Sequence, residues 1–223
     1  MSMGVLVVDL HIGKDPTETI KIVNILKRYD ESSMIRLFSH EFSYENLTPY
    51  QGIVLSGLDK SRLLYSGKME ILKGYLKKLA DKGTYVLGIC GGHQVLATAY
   101  GYDVKRIGKQ FGWSYVELTD LGKTNPLFRD LESPIRPFQY HDKAVIGIEE
   151  SKILARDNRC IQAVLYKDNV YGIQFHPEES PESGLEFLKK SGVHISDLQI
   201  PEKYDEWKIF RNFADMSYRR NEI

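Results

Sequence analysis

Two hydrophobic periods alternate along the first hundred residues of this chain. Short unbroken apolar runs read as strands buried on both faces: "GVLVVDL" (residues 4–10), "SMIRLFS" (33–39), "GIVLS" (52–56) and "TYVLGIC" (84–90). Between them, apolar positions recur at helical spacing. Ile20, Ile22, Val23, Ile25 and Leu26 mark one helix, with Asp15 as its N-cap and Pro16 in its first turn. Ile71, Leu72, Tyr75, Leu76 and Leu79 mark a basic amphipathic helix over 68–82, and another helix follows over 92–101. This order predicts an open, mostly parallel α/β sheet covered by helices on both faces.

The pattern changes in the second half. "SYVELTD", "AVIGI", "KILAR", "CIQAVLYK" and "NVYGIQF" are short strands, several separated by turn residues such as "KDN". They predict an antiparallel extension of the same sheet. Residues 180–191 and 206–218 read as closing helices. In the last, Trp207, Ile209, Phe210 and Phe213 fall at helical spacing, which favours a core helix over a docking surface. No repeat, low-complexity tract or linker interrupts the chain. One domain over 1–223 is expected, with 196–223 as a C-terminal helical extension.

Composition narrows the function classes. Of 223 residues, 30 are Lys or Arg and 30 are Asp or Glu, so no basic excess points to nucleic acid or a membrane surface. No apolar run approaches the ~20 residues of a membrane span, and the opening "MGVLVVDL" carries no basic leader. Two cysteines, Cys90 and Cys160, make no disulfide framework. The expected location is the cytoplasm, where a thiol stays a thiol.

Cys90 stands where the apolar run "YVLGIC" meets "GGHQVLATAYG". A strand ending in a nucleophile, followed by glycines and a helix, is the pattern of a nucleophile elbow. The turn is sharp, so its neighbours must be small, and Gly88, Gly91 and Gly92 meet that need. Such a turn holds the side chain above the carboxyl ends of the strands, where open α/β sheets bind ligands. The helix N-terminus beneath it favours a thiolate. The alternative for a lone cysteine is a small buried hydrophobe. A nucleophile requires a base and a group that orients the base. Six histidines are available: His11, His40, His93, His141, His176 and His194. His93 reads as a packing or capping residue of the helix after Cys90. His40 and His194 have polar neighbours and read as exposed, and His141 lies in a loop, "FQYHDK". His176 ends the apolar segment "VYGIQF" and precedes Pro177 and Glu178. On an extended segment i and i+2 share a face, so Glu178 can reach the imidazole of His176.

The segments "GICGGHQVLA" and "YGIQFHPE" resemble the two signatures of the class I glutamine amidotransferases, the triad glutaminases, and "QGIVLSGLD" resembles the family's oxyanion loop. The middle of the chain is similar to stand-alone members that look like the glutaminase domain of GMP synthase. The resemblance spans roughly residues 45–190. It implies a flavodoxin-like sheet and an amide hydrolase acting on L-glutamine. Cys90 would be the nucleophile, His176 the base and acid, and Glu178 the residue that orients His176. The oxyanion would be held by the N–H groups of Gly91 and Leu58, with Gly57 giving the loop its freedom. Gln94, His141 and Asp142 would line the glutamine pocket. The resemblance implies no cofactor and no metal. It implies a partner synthetase chain that accepts the ammonia, since no GxxxxGK[ST] phosphate loop is present here.

Two departures from the family stand out. Many members carry Gly-Gly-Pro where this chain has Gly57-Leu58-Asp59, which restricts how the Leu58 peptide can face and leaves the oxyanion hole unformed until something binds. Gly91 stands where a bulkier residue is usual, which predicts a looser elbow. Glu179, by alternation, should point away from Glu178 as a solvated or helix-capping carboxylate. Trp113 reads as core rather than pocket wall, and Cys160 as structural. A metal set of Cys90, His93 and Cys160 lacks paired ligand spacing. Two other readings stay open: a γ-glutamyl peptidase or hydrolase using the same triad, and a catalytically weak regulatory module.

Overall fold

The computed structural model describes residues 3–13, 16–29, 31–195 and 198–218. In chain order these form β1 (Met3–Asp9), α1 (Thr17–Leu26), β2 (Ser32–Arg36), β3 (Tyr50–Leu55), α2 (Gly67–Asp81), β4 (Tyr85–Ile89) and α3 (Gly91–Ala99). There follow β5 (Asp103–Trp113), β6 (Glu117–Leu118), α4 (Asp120–Thr124), β7 (Phe138–Ile146), β8 (Ile153–Arg156), β9 (Ile161–Lys167), β10 (Val170–Ile173), α5 (Pro181–Lys190) and α6 (Lys208–Tyr218). The main sheet has the order β2-β1-β3-β4-β10-β9-β8-β6. From β2 to β10 neighbouring strands are parallel, and from β10 to β6 they are antiparallel. This is an open flavodoxin-like sheet with an antiparallel extension.

The unbroken apolar runs have a direct cause. In β1, Val5 and Val7 join a core with Ile22 and Leu26 of α1 and Phe210 and Phe213 of α6. Leu6 and Val8 join the opposite core, with Leu72 and Leu76 of α2 and Val95 and Leu96 of α3. Both faces of the strand are dry, so no polar residue alternates in. The last helix is core, as its spacing predicts: Ile209, Phe210 and Phe213 are fully buried. A side chain at Gly52 of β3 would press on the Phe213 ring.

Several expectations need correction. The sequence pattern shows no strand over 103–113 and places "AVIGI" in the main sheet. Instead β5 and β7 pair antiparallel as a separate two-stranded ribbon, with Gln110 opposite His141 and Trp113 opposite Phe138. β5 is hard to read because most of it is solvated and carries Lys105, Arg106 and Lys109, so it shows neither an apolar run nor strict alternation. His141 and Asp142 therefore lie in a strand, not a loop. Only Glu117–Leu118 of "SYVELTD" joins the sheet. Ile20 and Ile71 do not face the core and are 42% and 57% exposed. The N-cap expected at Asp15 lies outside the described residues. Trp113 is half-buried, packed edge-on against Phe138 at 5.3 Å. Among the described residues no helix is long and apolar enough to cross a membrane.

Candidate active site

The chain folds back on itself at Cys90. β4 ends at Ile89, and the Cys90 N–H still donates to the Ile173 carbonyl of β10 at 2.8 Å. The next residue already begins α3. To make the turn Cys90 takes φ 48° and ψ −102°, a left-handed conformation that costs a non-glycine residue on the order of 1–3 kcal/mol. The glycines make this geometry possible. A Cβ at Gly88 would run into the backbone of Gly92 and His93, and one at Gly92 would run into the Leu55 and Ser56 backbone. The Gly92 N–H instead donates to the Ser56 carbonyl at 3.1 Å, tying the elbow to the end of β3.

The two departures from the family pattern belong together. A Cβ at Gly91 would overlap the Leu58 Cβ and its backbone nitrogen. Leu58 occupies the room that a side chain at 91 would take, so the elbow is filled rather than loose. The loop that carries Leu58 is braced from β1. The Leu10 N–H donates to Ser56 Oγ at 2.9 Å, and the Ile12 N–H reaches Asp59 Oδ1 at 3.5 Å.

His176 reaches this point from the far end of the chain. The β10 ladder stops at Ile173, and His176 is held by its own N–H to the Phe138 carbonyl, 2.9 Å. Residues 176–179 then turn, closed by the Glu179 N–H on the His176 carbonyl at 3.3 Å. The turn, not strand alternation, brings Glu178 Oε1 within 2.7 Å of His176 Nδ1. Tyr204 braces it, donating to the Pro177 carbonyl at 2.6 Å. Burial disfavours the imidazolium, yet Glu178 and the nearby Cys90 sulfur outweigh it and hold the His176 pKa well above the usual histidine range. His176 Nε2 makes no hydrogen bond among the described residues. The turn also corrects the expectation for Glu179. It is buried, paired through both oxygens with Lys21 Nζ at 2.7 Å, and it accepts from Ser183 Oγ.

Cys90, His176, Gly57, Leu58, Gly91, Gln94, His141 and Asp142 line one cavity of about 810 Å³. Glu178 stands behind His176. Gln94 is buried and faces the cavity, not the helix surface. The ribbon supplies the opposite wall. The Tyr140 carbonyl lies 4.0 Å from Cys90 Sγ, and Asp142 pairs with Arg106 at 3.0 Å. His141 is bound between the Lys143 carbonyl and Gln139 Oε1, and burial lowers its pKa to about 4.

The other histidines and cysteine separate from this site. His93 is fully buried against Tyr166, with its pKa lowered to about 3 by burial, which makes it a packing residue. His40 and His194 are exposed. Cys160 precedes β9, and its thiol pKa is pushed up to about 12 by burial and by Asp157. The set Cys90, His93 and Cys160 does not converge. Among the described residues, one group brings three ligand-type atoms within 4.8 Å of one another: Glu18, His176 and Glu178. Within it, His176 Nδ1 is already held by Glu178 Oε1.

Sequence reading missed His11, Glu18 and Gln174. Gln174 Nε2 lies 3.6 Å from Cys90 Sγ, and His11 and Glu18 line the cavity. One signal could have found His11. It follows β1 directly, and the carboxyl ends of parallel strands are where ligands bind.

A positive-φ cysteine thus sits at a strand-to-helix elbow above a flavodoxin-like sheet, beside a buried His–Glu pair. The chain matches the model of the family "Glutamine amidotransferase class-I" over residues 19–195, and it belongs to that family. It is 31% identical over 173 residues to a glutamine-hydrolyzing GMP synthase subunit of Methanosphaera stadtmanae, covering 75% of this chain and 84% of that protein. It is 34% identical over 140 residues to imidazole glycerol phosphate synthase subunit HisH of Oceanobacillus iheyensis, covering 53% and 67%. Its fold matches the crystal structure of a putative GMP synthase subunit from Thermoplasma acidophilum, with TM-score 0.73 at 21% identity, over 100% of this chain and 97% of that one.

The overlap at Gly91 predicts the cost of filling it. Gly91→Ala should destabilise the fold by about 1–3 kcal/mol in urea titration, the range for overpacking. Leu58→Gly in the same chain should recover part of that loss, because neighbouring sites couple. Additive losses would separate the two positions.

Proposed function

We propose that this chain is a glutaminase that hydrolyses the side-chain amide of L-glutamine through a γ-glutamyl thioester on Cys90 and passes the ammonia to a separate synthetase chain. The observation that carries this reading is the pairing of a strained, cavity-facing Cys90 with His176, whose Nε2 is unbound among the described residues and whose Nδ1 is held by Glu178. His176 takes the Cys90 proton, and the thiolate attacks the amide carbon. The His176 imidazolium returns that proton to the nitrogen, the C–N bond breaks, and ammonia leaves a thioester. Water, deprotonated by His176, then cleaves the thioester to glutamate. Two acyl-transfer steps replace one hard amide hydrolysis. The high His176 pKa suits the second proton transfer, since an imidazolium is the acid that step needs.

The Gly91 N–H, at the first position of α3, is one of the orphan donors of a helix N-terminus and faces the developing oxyanion. Leu58 supplies the second donor, and turning its peptide N–H toward the oxyanion is the step a partner would complete. Gln94, His141 and Asp142 hold the amino-acid end of the substrate. The partner is inferred from relatives whose names make them subunits of larger synthases.

A second reading is favoured by one observation. The cavity, about 810 Å³, lies toward the upper end of the roughly 300–1,000 Å³ typical of small-molecule sites. It has room beside a glutamyl group for a leaving group larger than ammonia, as a γ-glutamyl hydrolase requires. Steady-state assays on L-glutamine and on a γ-glutamyl dipeptide separate the two. The glutaminase reading predicts higher kcat/KM on glutamine, and a loss in kcat of about 10²-fold or more in Glu178→Gln. Preferential cleavage of the dipeptide would favour the hydrolase. Failure of a glutamine-like electrophile to label Cys90 would leave the regulatory module.

A further inference from the structure

Resting on the glutaminase reading, we propose that Glu18 accepts the N–H groups of the departing nitrogen, and that His11 and Asp9 are the positioning residues that aim it. Glu18 and Glu178 gather at the His176 ring, Glu179 follows on the same turn, and two of the three have evident tasks. Glu178 orients the imidazole, and Glu179 is neutralised by Lys21. Glu18, in the first turn of α1, is the one left over, and it faces the cavity.

Its position is built. Glu18 Oε2 lies 3.4 Å from His11 Nε2, and His11 Nδ1 lies 2.7 Å from Asp9 Oδ1. Asp9 is fully buried, and it accepts from Thr19 Oγ1 at 2.9 Å and from Arg36 Nε at 3.0 Å. This repeats the logic of the triad: a ring nitrogen anchored by a buried carboxylate presents its other nitrogen at a fixed place. Burial disfavours a charged His11, but Asp9 and Glu18 outweigh it and raise its pKa to about 10. Burial likewise opposes the Glu18 anion, and His11, His176 and Lys21 overcome it and lower its pKa. A favourable place at a helix N-terminus explains an acid at Glu18. It does not explain the His11–Asp9 anchor.

The location is the leaving-group side. A Cβ on Gly57 would sit 3.5 Å from Glu18 Oε2, 3.6 Å from His11 Nε2 and 3.8 Å from His176 Cε1. Glu18 and His176 therefore share one wall at the oxyanion loop. The departing nitrogen must lie at His176 Nε2 to receive its proton, within reach of a carboxylate on that wall. In the tetrahedral intermediate that nitrogen gains a proton from His176 and a positive charge. The C–N bond then breaks, and neutral ammonia and the thioester remain. Glu18 takes no proton. It accepts N–H bonds that strengthen as charge develops.

An ester of the same acyl group forms the same thioester but has no N–H to donate. Wild type, Glu18→Gln, His11→Gln and Cys90→Ala are compared on L-glutamine and on L-glutamate γ-methyl ester. The amide-to-ester ratio of kcat/KM should fall about tenfold or more in Glu18→Gln, the size of one hydrogen bond to a charged group. It should fall in the same direction in His11→Gln. A ratio within about twofold of wild type, whatever the absolute rates, overturns the role of Glu18. Hydrolysis of either substrate by Cys90→Ala above the uncatalysed rate instead overturns the glutaminase reading and this inference with it. Where turnover by the isolated chain is too slow to read, calorimetry on the Cys90→Ala protein makes the same comparison. There Glu18→Gln should weaken glutamine and spare the ester, and equal changes overturn the proposal.

Discussion

A cysteine held at φ 48° is the constraint around which this molecule is arranged. The strain is local, but what enforces it is not. β4 must end against β10, which the Cys90 N–H to Ile173 bond achieves. α3 must start within one residue, close over Gly88 and against the end of β3. The Leu58 loop must then fill the space beside Gly91. These contacts come from β10 and from the end of β3, the two neighbours of β4, so the elbow can form only once those strands are paired. A packed core, dry on both faces, supplies the stability that keeps the strained residue in place.

The same sheet sorts the histidines by what surrounds them. His93 lies under the elbow against Tyr166, and burial pushes its pKa down to about 3. His141 in the ribbon faces a carbonyl and an amide, and its pKa falls to about 4. His176 is equally enclosed, but Glu178 and the Cys90 sulfur reverse the effect of burial. His11 is raised to about 10 by Asp9 and Glu18. Buried imidazoles of one fold are thus shifted in opposite directions, down where burial dominates and up where a carboxylate stands against the ring.

The parallel half of the fold was legible because it is buried on both faces, and continuous apolar runs are hard to mistake there. The ribbon was not, because β5 stands off the sheet and its face is set by Lys105, Arg106 and Lys109. At the site, the glycines around Cys90 carry a steric message that sequence alone conveys. The His176–Glu178 contact follows from a turn, not from the strand alternation that predicts it, and the same turn draws Glu179 inward instead of sending it to solvent. Glu18 went unread because a first-turn glutamate carries no local signal, and His11 because its one signal is its place just past the end of β1. Their meaning emerges only when β1, α1 and the turn at 176–179 converge.

In the proposed mechanism Cys90 forms a covalent bond to the glutamyl group while His176 moves the proton. Mass analysis of protein quenched in acid during glutamine turnover tests it most directly. The account predicts a single glutamyl adduct on the peptide carrying Cys90, labile to hydroxylamine as a thioester is. Turnover that proceeds with Cys90 unmodified at every time point would contradict it.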